Sequence, residues 1–367
     1  MRLGVAQALS GGEIVPGDVL IAADGTIEQV GATPAGRAGI AVPGFVDLQV
    51  NGFAGVDFLD AEPAGYSQAG QAIAASGVTA YQPTFISSPP RACRAALAAL
   101  RAASLLEGPR LIGAHLEGPF LSPAWPGAHD PEHLRPPDLA LVDELMAGGP
   151  VTMMTVAPEL PEALLLIEGL VERGVVVSIG HTDADAPRAR RAFECGARAI
   201  THVHNAHRRL EARDPGPAGV ALTRPGVAVM AIADGFHLAP ETLRIAHLAA
   251  GERLCLVTDA VEAAGLGDGE YRLGGRTVRV VGGAARLEDG RLAGSAGALD
   301  HGVRALVAAG ATLAEAVHAA SAAPARLAGL PGLGDLAGGL PADVTVLDDR
   351  LEVVRTVVAG RELYGRT

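Results

Sequence analysis

Three side chains able to hold a metal ion stand on three separate apolar segments of this sequence, each near the segment's C-terminal end. Glu117 closes the run in "LIGAHLEGPF", His181 closes "VVVSIGH", and His202 lies in "AITHVHNA". Two neutral imidazoles and one carboxylate make a donor set suited to zinc or iron, with a position left for water. Lowering the pKa of that water creates a nucleophile near neutral pH. A fourth segment, "LCLVTDA", ends in Asp259. Its plain reading is an N-cap for the following turn. Its chemical reading is a carboxylate that takes the water's proton and hands it to a leaving amine. One histidine at a strand end is more often a hydrogen-bonded structural residue than a ligand. Recurrence on three strands lifts Glu117, His181 and His202 above that reading, because polar groups at apolar strand ends are costly to bury unpaired. The chemistry implied is metal-assisted hydrolysis.

Such residues need a scaffold that gathers strand ends. From about residue 44 to 310, apolar runs rich in β-formers alternate with Ala/Leu-rich helical stretches. The expected strands are "GFVDLQV", "TAYQPTFI", "RLIGAHLE", "VTMMTVAP", "VVVSIGH", "AITHVHN", "VAVMAIAD" and "LCLVTDA". Eight β–α units predict an α/β fold of the (β/α)8 TIM-barrel type, in which chemistry sits at the C-terminal ends of the strands. His115 shares a strand face with Glu117 and is expected to orient or pack beside it. On the sixth strand His202 and His204 are expected to face the same way. The ends of the chain differ: residues 1–43 and 336–367 read as short strands between Gly and Asp turns, hence a small β-sandwich domain built from both termini. The barrel then spans 44–335, with a β-hairpin insertion at about 269–293.

Composition narrows the function. A formal charge of -12 argues against nucleic acid as a partner. No apolar run reaches membrane-spanning length, and "MRLGVAQALSGGE" lacks the layout of a secretory leader, so the expected location is the cytoplasm. Three scattered cysteines, Cys93, Cys195 and Cys255, suit a reducing compartment. Every basic residue is arginine. The absence of lysine excludes a Schiff base, a P-loop lysine and a carbamylated lysine bridging two metals.

The motifs "PGFVDLQVNG", "HLEGPF", "GAHDP", "VTMMTVAPE", "GHTDA", "THVHNA", "DPGPAG", "ADGFH" and "LVTDA" resemble, in order and spacing, the N-acetylglucosamine-6-phosphate deacetylases of the amidohydrolase superfamily. The resemblance runs from about residue 40 to the C-terminus, and the combination of "HLEGPF", "THVHNA" and "ADGFH" is what makes it specific. It implies a metal-dependent barrel, a homodimer, and hydrolysis of a phosphorylated amino sugar's acetamide, with Glu117, His181 and His202 as metal ligands and Asp259 as general base and acid. It further implies substrate contacts at Ala128 and His129, a phosphate-binding turn at Asn205 and Ala206, a sugar contact at His237, and a backbone stretch lining the pocket at Leu292, Ala293 and Gly294. Arg213 would pair with the 6-phosphate, since a guanidinium fork suits a phosphate dianion.

Two departures from the family pattern matter. Relatives that hold two metals carry His-x-His at the end of the first strand, where this chain has Gln49 and Asn51. Neutral amides are weak zinc ligands, so one divalent ion per site is expected, zinc before iron, with Gln49 reaching it only through water. His204 and His207 replace an aromatic residue and a methionine. Rival readings are the galactosamine 6-phosphate epimer as substrate, cyclic-amide hydrolysis, and a non-catalytic sensor of an amino-sugar phosphate. Arg213 disfavours the second, and the metal-and-base set disfavours the third.

Overall fold

The computed structural model describes residues 1–366; residue 367, the end of the terminal span, lies outside them. Eight parallel strands form the barrel: Phe45–Val50, Val78–Ile86, Ala114–Glu117, Val151–Val156, Val176–Ile179, Ala199–Ile200, Ala228–Ile232 and Leu254–Val257. Each pairs with the next in parallel register, as in His115 opposite Thr84 and Met153. Nearly every residue of these strands is buried, since helices cover the outside and side chains fill the inside. The crossover helices bury one apolar stripe each. In the helix Pro90–Ala103 the buried positions Cys93, Ala96, Leu97, Leu100 and Ala103 follow the 3–4 spacing of one face. At the opposite end from the site, the short helix Ala322–Leu327 packs with Val46, Ala80, Ala199 and Cys255 and plugs the barrel floor.

The termini assemble a six-stranded sheet in which Val5–Ser10, Glu13–Pro16 and Ala38–Pro43 join Val344–Leu347, Val353–Val358 and Arg361–Gly365. A second, two-stranded sheet, Asp18–Ile21 with Ile27–Ala32, packs on it around Val5, Val19, Ile27, Val344 and Val357. The result is a small β-sandwich drawn from both ends. Between the eighth strand and the following helix, Gly269–Leu273, Arg276–Val281 and Ala284–Arg286 form a three-stranded antiparallel meander. Among the described residues no helix is long and apolar enough to cross a membrane.

Two strands differ from the sequence expectation. The third is broken, Arg110–Leu111 pairing alone with the second strand, because Gly113 takes a left-handed φ of 110° that kinks the run. The sixth stops at Ile200, and the chain then turns through left-handed conformations at His202 (φ 29°) and His204 (φ 71°).

The barrel closes between its eighth and first strands through main-chain bonds and one buried carboxylate. Val50 bridges Ala260 in parallel, and the Asp259 amide donates to the Gln49 carbonyl at 2.8 Å. Asp47, 2% exposed, accepts from the Thr258 hydroxyl at 2.6 Å and the Thr258 amide at 3.1 Å. Burial pushes its pKa up to about 7 against the pull of these bonds. Asp47→Ala takes the acceptor from the Thr258 amide in a dry interior and leaves the Thr258 hydroxyl only the Gln49 carbonyl at 3.2 Å. It is expected to cost about 3 kcal/mol of unfolding free energy, read as a lower urea midpoint at unchanged slope.

Candidate metal centre and active site

Glu117 and the two histidines meet at the barrel mouth. Glu117 Oε1 lies 2.9 Å from His202 Nε2 and 3.1 Å from His181 Nε2, and the two Nε2 atoms are 3.1 Å apart. All three side chains are at most 5% exposed. The second nitrogen of each ring settles its tautomer: His181 Nδ1–H donates to the Trp125 carbonyl at 3.0 Å, and His202 Nδ1–H to the Asn205 carbonyl at 3.2 Å. In the neutral rings both Nε2 atoms therefore present lone pairs. Burial pushes the Glu117 pKa up, but the three imidazoles around the carboxyl, with His129 Nε2–H aimed at it, outweigh that and hold it well below the usual carboxylate range. Three electron-pair donors facing one another at 2.9–3.1 Å repel unless a cation sits among them. Donors around an ion bound at about 2.0–2.2 Å lie roughly 2.8–3.6 Å apart, from right-angle to tetrahedral neighbours, and the cluster falls at the short end of that range. The residues fit a divalent metal.

His129 meets the same cluster with the opposite chemistry. Its Nε2 is 3.5 Å from Glu117 Oε2, close enough for Glu117, His129 and His181 to form a metal-sized group by distance alone. Its Nδ1, however, accepts the Ser87 amide at 3.1 Å. The proton therefore sits on Nε2, which makes His129 a donor toward the cavity rather than a ligand.

Backbone strain marks the site. Of the nine non-glycine residues with positive φ among the described residues, five are His181, His202, His204, Ala206 and Asp259. Such conformations cost on the order of 1 kcal/mol each and persist where a surrounding site demands them. Asp259 faces the cluster with Oδ1 accepting from the Asn51 side-chain amide at 2.7 Å. Burial raises its pKa and the nearby Glu117 charge adds to the rise, while His202 and His237 pull it down. Gly294 (φ 60°) runs so close behind that a Cβ there would sit 2.6 Å from the Asp259 carbonyl oxygen. Gln49 donates its amide to Glu117 Oε1 at 3.1 Å, leaving its own Oε1 buried without a partner.

Beneath lies a polar layer that accounts for His115. Its Nε2 bonds Thr155 Oγ1 at 2.7 Å, Thr155 bonds Thr201 at 2.8 Å, and Thr201 bonds Ser178 at 2.6 Å. Burial drops the His115 pKa to about 4, so the ring is neutral. His115 is a spacer within this layer.

A cavity of about 390 Å³ opens above the cluster, with His129, His181, His202, Asn205 and Asp259 among its walls. Ala128, Ala206, His237, Leu292 and Gly294 also line it. His237 Nδ1 pairs with Asp234 Oδ2 at 2.8 Å, which turns Nε2 free. One expected contact, Arg213, lies elsewhere in this chain. Ala293 is expected to offer only its backbone, and its side chain, fully buried, packs in the cluster of Ile86 and Val261. Arg213 is exposed, off the cavity, and makes no hydrogen bond or ion pair among the described residues. The sixth strand ends before His202, so His202 and His204 do not sit on a strand face, and the His204 ring lies 6.5 Å from that of His207. Both of those rings leave a buried Nε2 without a partner. Sequence reasoning gave Asp234 a place at the end of the seventh strand but no partner, and missed the Trp125 carbonyl, Arg276 of the meander and Arg291 just beyond it, because those three belong to no strand-end pattern.

Comparison with known proteins points one way. The amidohydrolase family matches residues 40–363. The chain is 40% identical over 341 residues to an N-acetylglucosamine-6-phosphate deacetylase of Danio rerio, covering 89% of this chain and 84% of that one. It is 37% identical over 349 residues to an N-acetylgalactosamine-6-phosphate deacetylase of Escherichia coli O157:H7, covering 92% and 93%. A solved structure of N-acetyl-D-glucosamine-6-phosphate deacetylase from Mycobacterium smegmatis, in complex with N-acetyl-D-glucosamine-6-phosphate, superposes with a TM-score of 0.94 at 36% identity over 99% of each chain.

Proposed function

The chain belongs to the amidohydrolase family, and we propose that it hydrolyses the acetamide of N-acetyl-D-glucosamine 6-phosphate to D-glucosamine 6-phosphate and acetate. The observation that carries this reading is the meeting of Glu117, His181 and His202 opposite Asp259 in one cavity at the C-terminal mouth of the barrel. A metal-dependent hydrolase needs both halves of that set, and a sensor needs neither.

Glu117, His181 and His202 would hold one divalent ion, zinc by preference for two imidazoles and a carboxylate. When bound, that ion supplies a Lewis acid that acidifies water and polarises a carbonyl. The protein's own groups do the rest. Asn51 fixes Asp259 through Oδ1, leaving Oδ2 to take the proton of the attacking water and return it to the departing amine. His129 presents Nε2–H to the amide oxygen as charge builds there. His237, its Nδ1–H committed to Asp234, accepts from a sugar hydroxyl through Nε2. Gln49 Oε1, orphaned and buried, suits a water between it and the ion better than direct ligation. The purified, unchelated protein is expected to carry one tightly held equivalent of metal by elemental analysis; two would refute this ligand set.

A homodimer is part of the proposal. Arg213 stands exposed away from its own cavity, which suits the partner subunit's Arg213 completing the phosphate site across a dimer interface. Sedimentation velocity tests this, with a monomer at assay concentration as the contrary result. Free Cys93, Cys195 and Cys255 support a cytoplasmic location.

The galactosamine epimer is the one rival with a relative behind it. Acetate release from both 6-phosphates, assayed side by side, tests the reading. A higher kcat/KM on the glucosamine compound is expected, and no release from either would refute the activity.

A further inference from the structure

The meander that follows the eighth strand is seated on the barrel rim by two carboxylates and an apolar face. Asp57 Oδ2 accepts the Gly274 amide at 2.8 Å, and the Glu262 carboxylate accepts that of Arg272. Leu273, Val278 and Val280 pack with Ile86 at the exit of the second strand. From this base Arg276 reaches the loop that carries His129. Its Nη1 donates to the Ala128 and His129 carbonyls at 3.0 and 3.2 Å. The half-buried guanidinium makes no other hydrogen bond and no ion pair among the described residues. Both of its bonds therefore end on one loop.

His129 is held from the other side by Ser87, whose amide donates to Nδ1 at 3.1 Å and whose hydroxyl lies 3.0 Å from it. Ser87 selects the protonated nitrogen and anchors the ring, while Arg276 anchors the main chain behind it. Ile86 and Ser87 are adjacent, so one strand exit supports both the meander and the ring. The earlier part of the loop serves the metal ligand instead. The Trp125 carbonyl holds His181 Nδ1, and a Cβ on Gly127 would sit 2.7 Å from His181 Cε1. Arg291, not Arg276, grips Gly127, through its carbonyl at 2.6 Å. A donor to a developing oxyanion contributes only if it already stands in place. A displacement of about 1 Å in such a group costs up to about 100-fold in rate.

We propose that Arg276 is a positioning residue for His129, holding Nε2–H where charge builds on the amide oxygen. The proposal rests on the activity put forward above. The test measures kcat, KM and bound metal with N-acetylglucosamine 6-phosphate for wild type, Arg276→Gln, Arg276→Lys, His129→Gln and the double variant Arg276→Gln/His129→Gln. Amide hydrogen exchange at residues 127–130 and the urea midpoint are followed in the same proteins. Arg276→Gln is expected to lower kcat about 10- to 100-fold, with KM within about threefold and metal content unchanged. Arg276→Lys should recover part of that rate, since one ammonium can serve both carbonyls. In the His129→Gln background the same substitution should cost less than about twofold, because the group it positions is gone. Exchange at 127–130 should rise about tenfold in Arg276→Gln at an unchanged urea midpoint. A wild-type kcat, losses that multiply in full in the double variant, or a loss carried by KM or by metal content would overturn the proposal. A wild type inactive on this sugar would overturn the activity instead. Exchange then decides the clamp, and no rise at 127–130 overturns it.

Discussion

Asp259→Asn is expected to lower kcat about 1,000- to 10,000-fold, the share of a rate that a positioned proton acceptor supplies. The isosteric amide can still accept from Asn51 through its oxygen, so the bond at 2.7 Å and the strained φ of 50° have no reason to change. What is lost is only the ability to take and return a proton. Metal content by elemental analysis and the unfolding midpoint should therefore match wild type, and KM should move little. The residual rate should also lose the acidic limb of the kcat/KM profile, which reports protonation of the base. Turnover within tenfold of wild type would remove Asp259 from that role.

Glu117→Gln should fail differently. The substitution keeps the size of the side chain but removes the one negative charge among three donors spaced at 2.9–3.1 Å. The amide also needs a partner for its own hydrogens, and two lone-pair nitrogens and the Gln49 amide surround it. Bound metal is expected to fall below about a tenth of an equivalent after dialysis, with turnover down at least 1,000-fold and partial recovery only in excess metal. Metal content thus separates the two variants even though both are nearly inactive. A Glu117→Gln protein that retains a full equivalent would show that the ion is held elsewhere.

The barrel and its exits were legible because the relevant signals are local. Apolar strands of the right length alternate with helical stretches, and Glu117, His181 and Asp259 break that pattern at the point where each strand leaves the barrel. The course of the chain after Ile200 was not legible. Left-handed φ at His202 and His204 is disfavoured by local sterics, so only the surrounding fold makes it worth adopting. Proton placement was hidden for the same reason. Whether His129 donates or ligates depends on the Ser87 amide 42 residues away in sequence. The grip of Arg276 and Arg291 on residues 127–129 spans some 150 positions, and no spacing rule reaches that far.

The main chain of Asp259 also stitches the cylinder's last edge to its first, through Gln49 on one side and Ser295 on the other. Turnover thus doubles as a gauge of topological completion: a half-assembled ring could keep its helices and still lack a proton carrier in the right place. On refolding, acetate release should return after far-ultraviolet ellipticity has recovered, and a permutant opened between residues 49 and 51 should be helical yet idle.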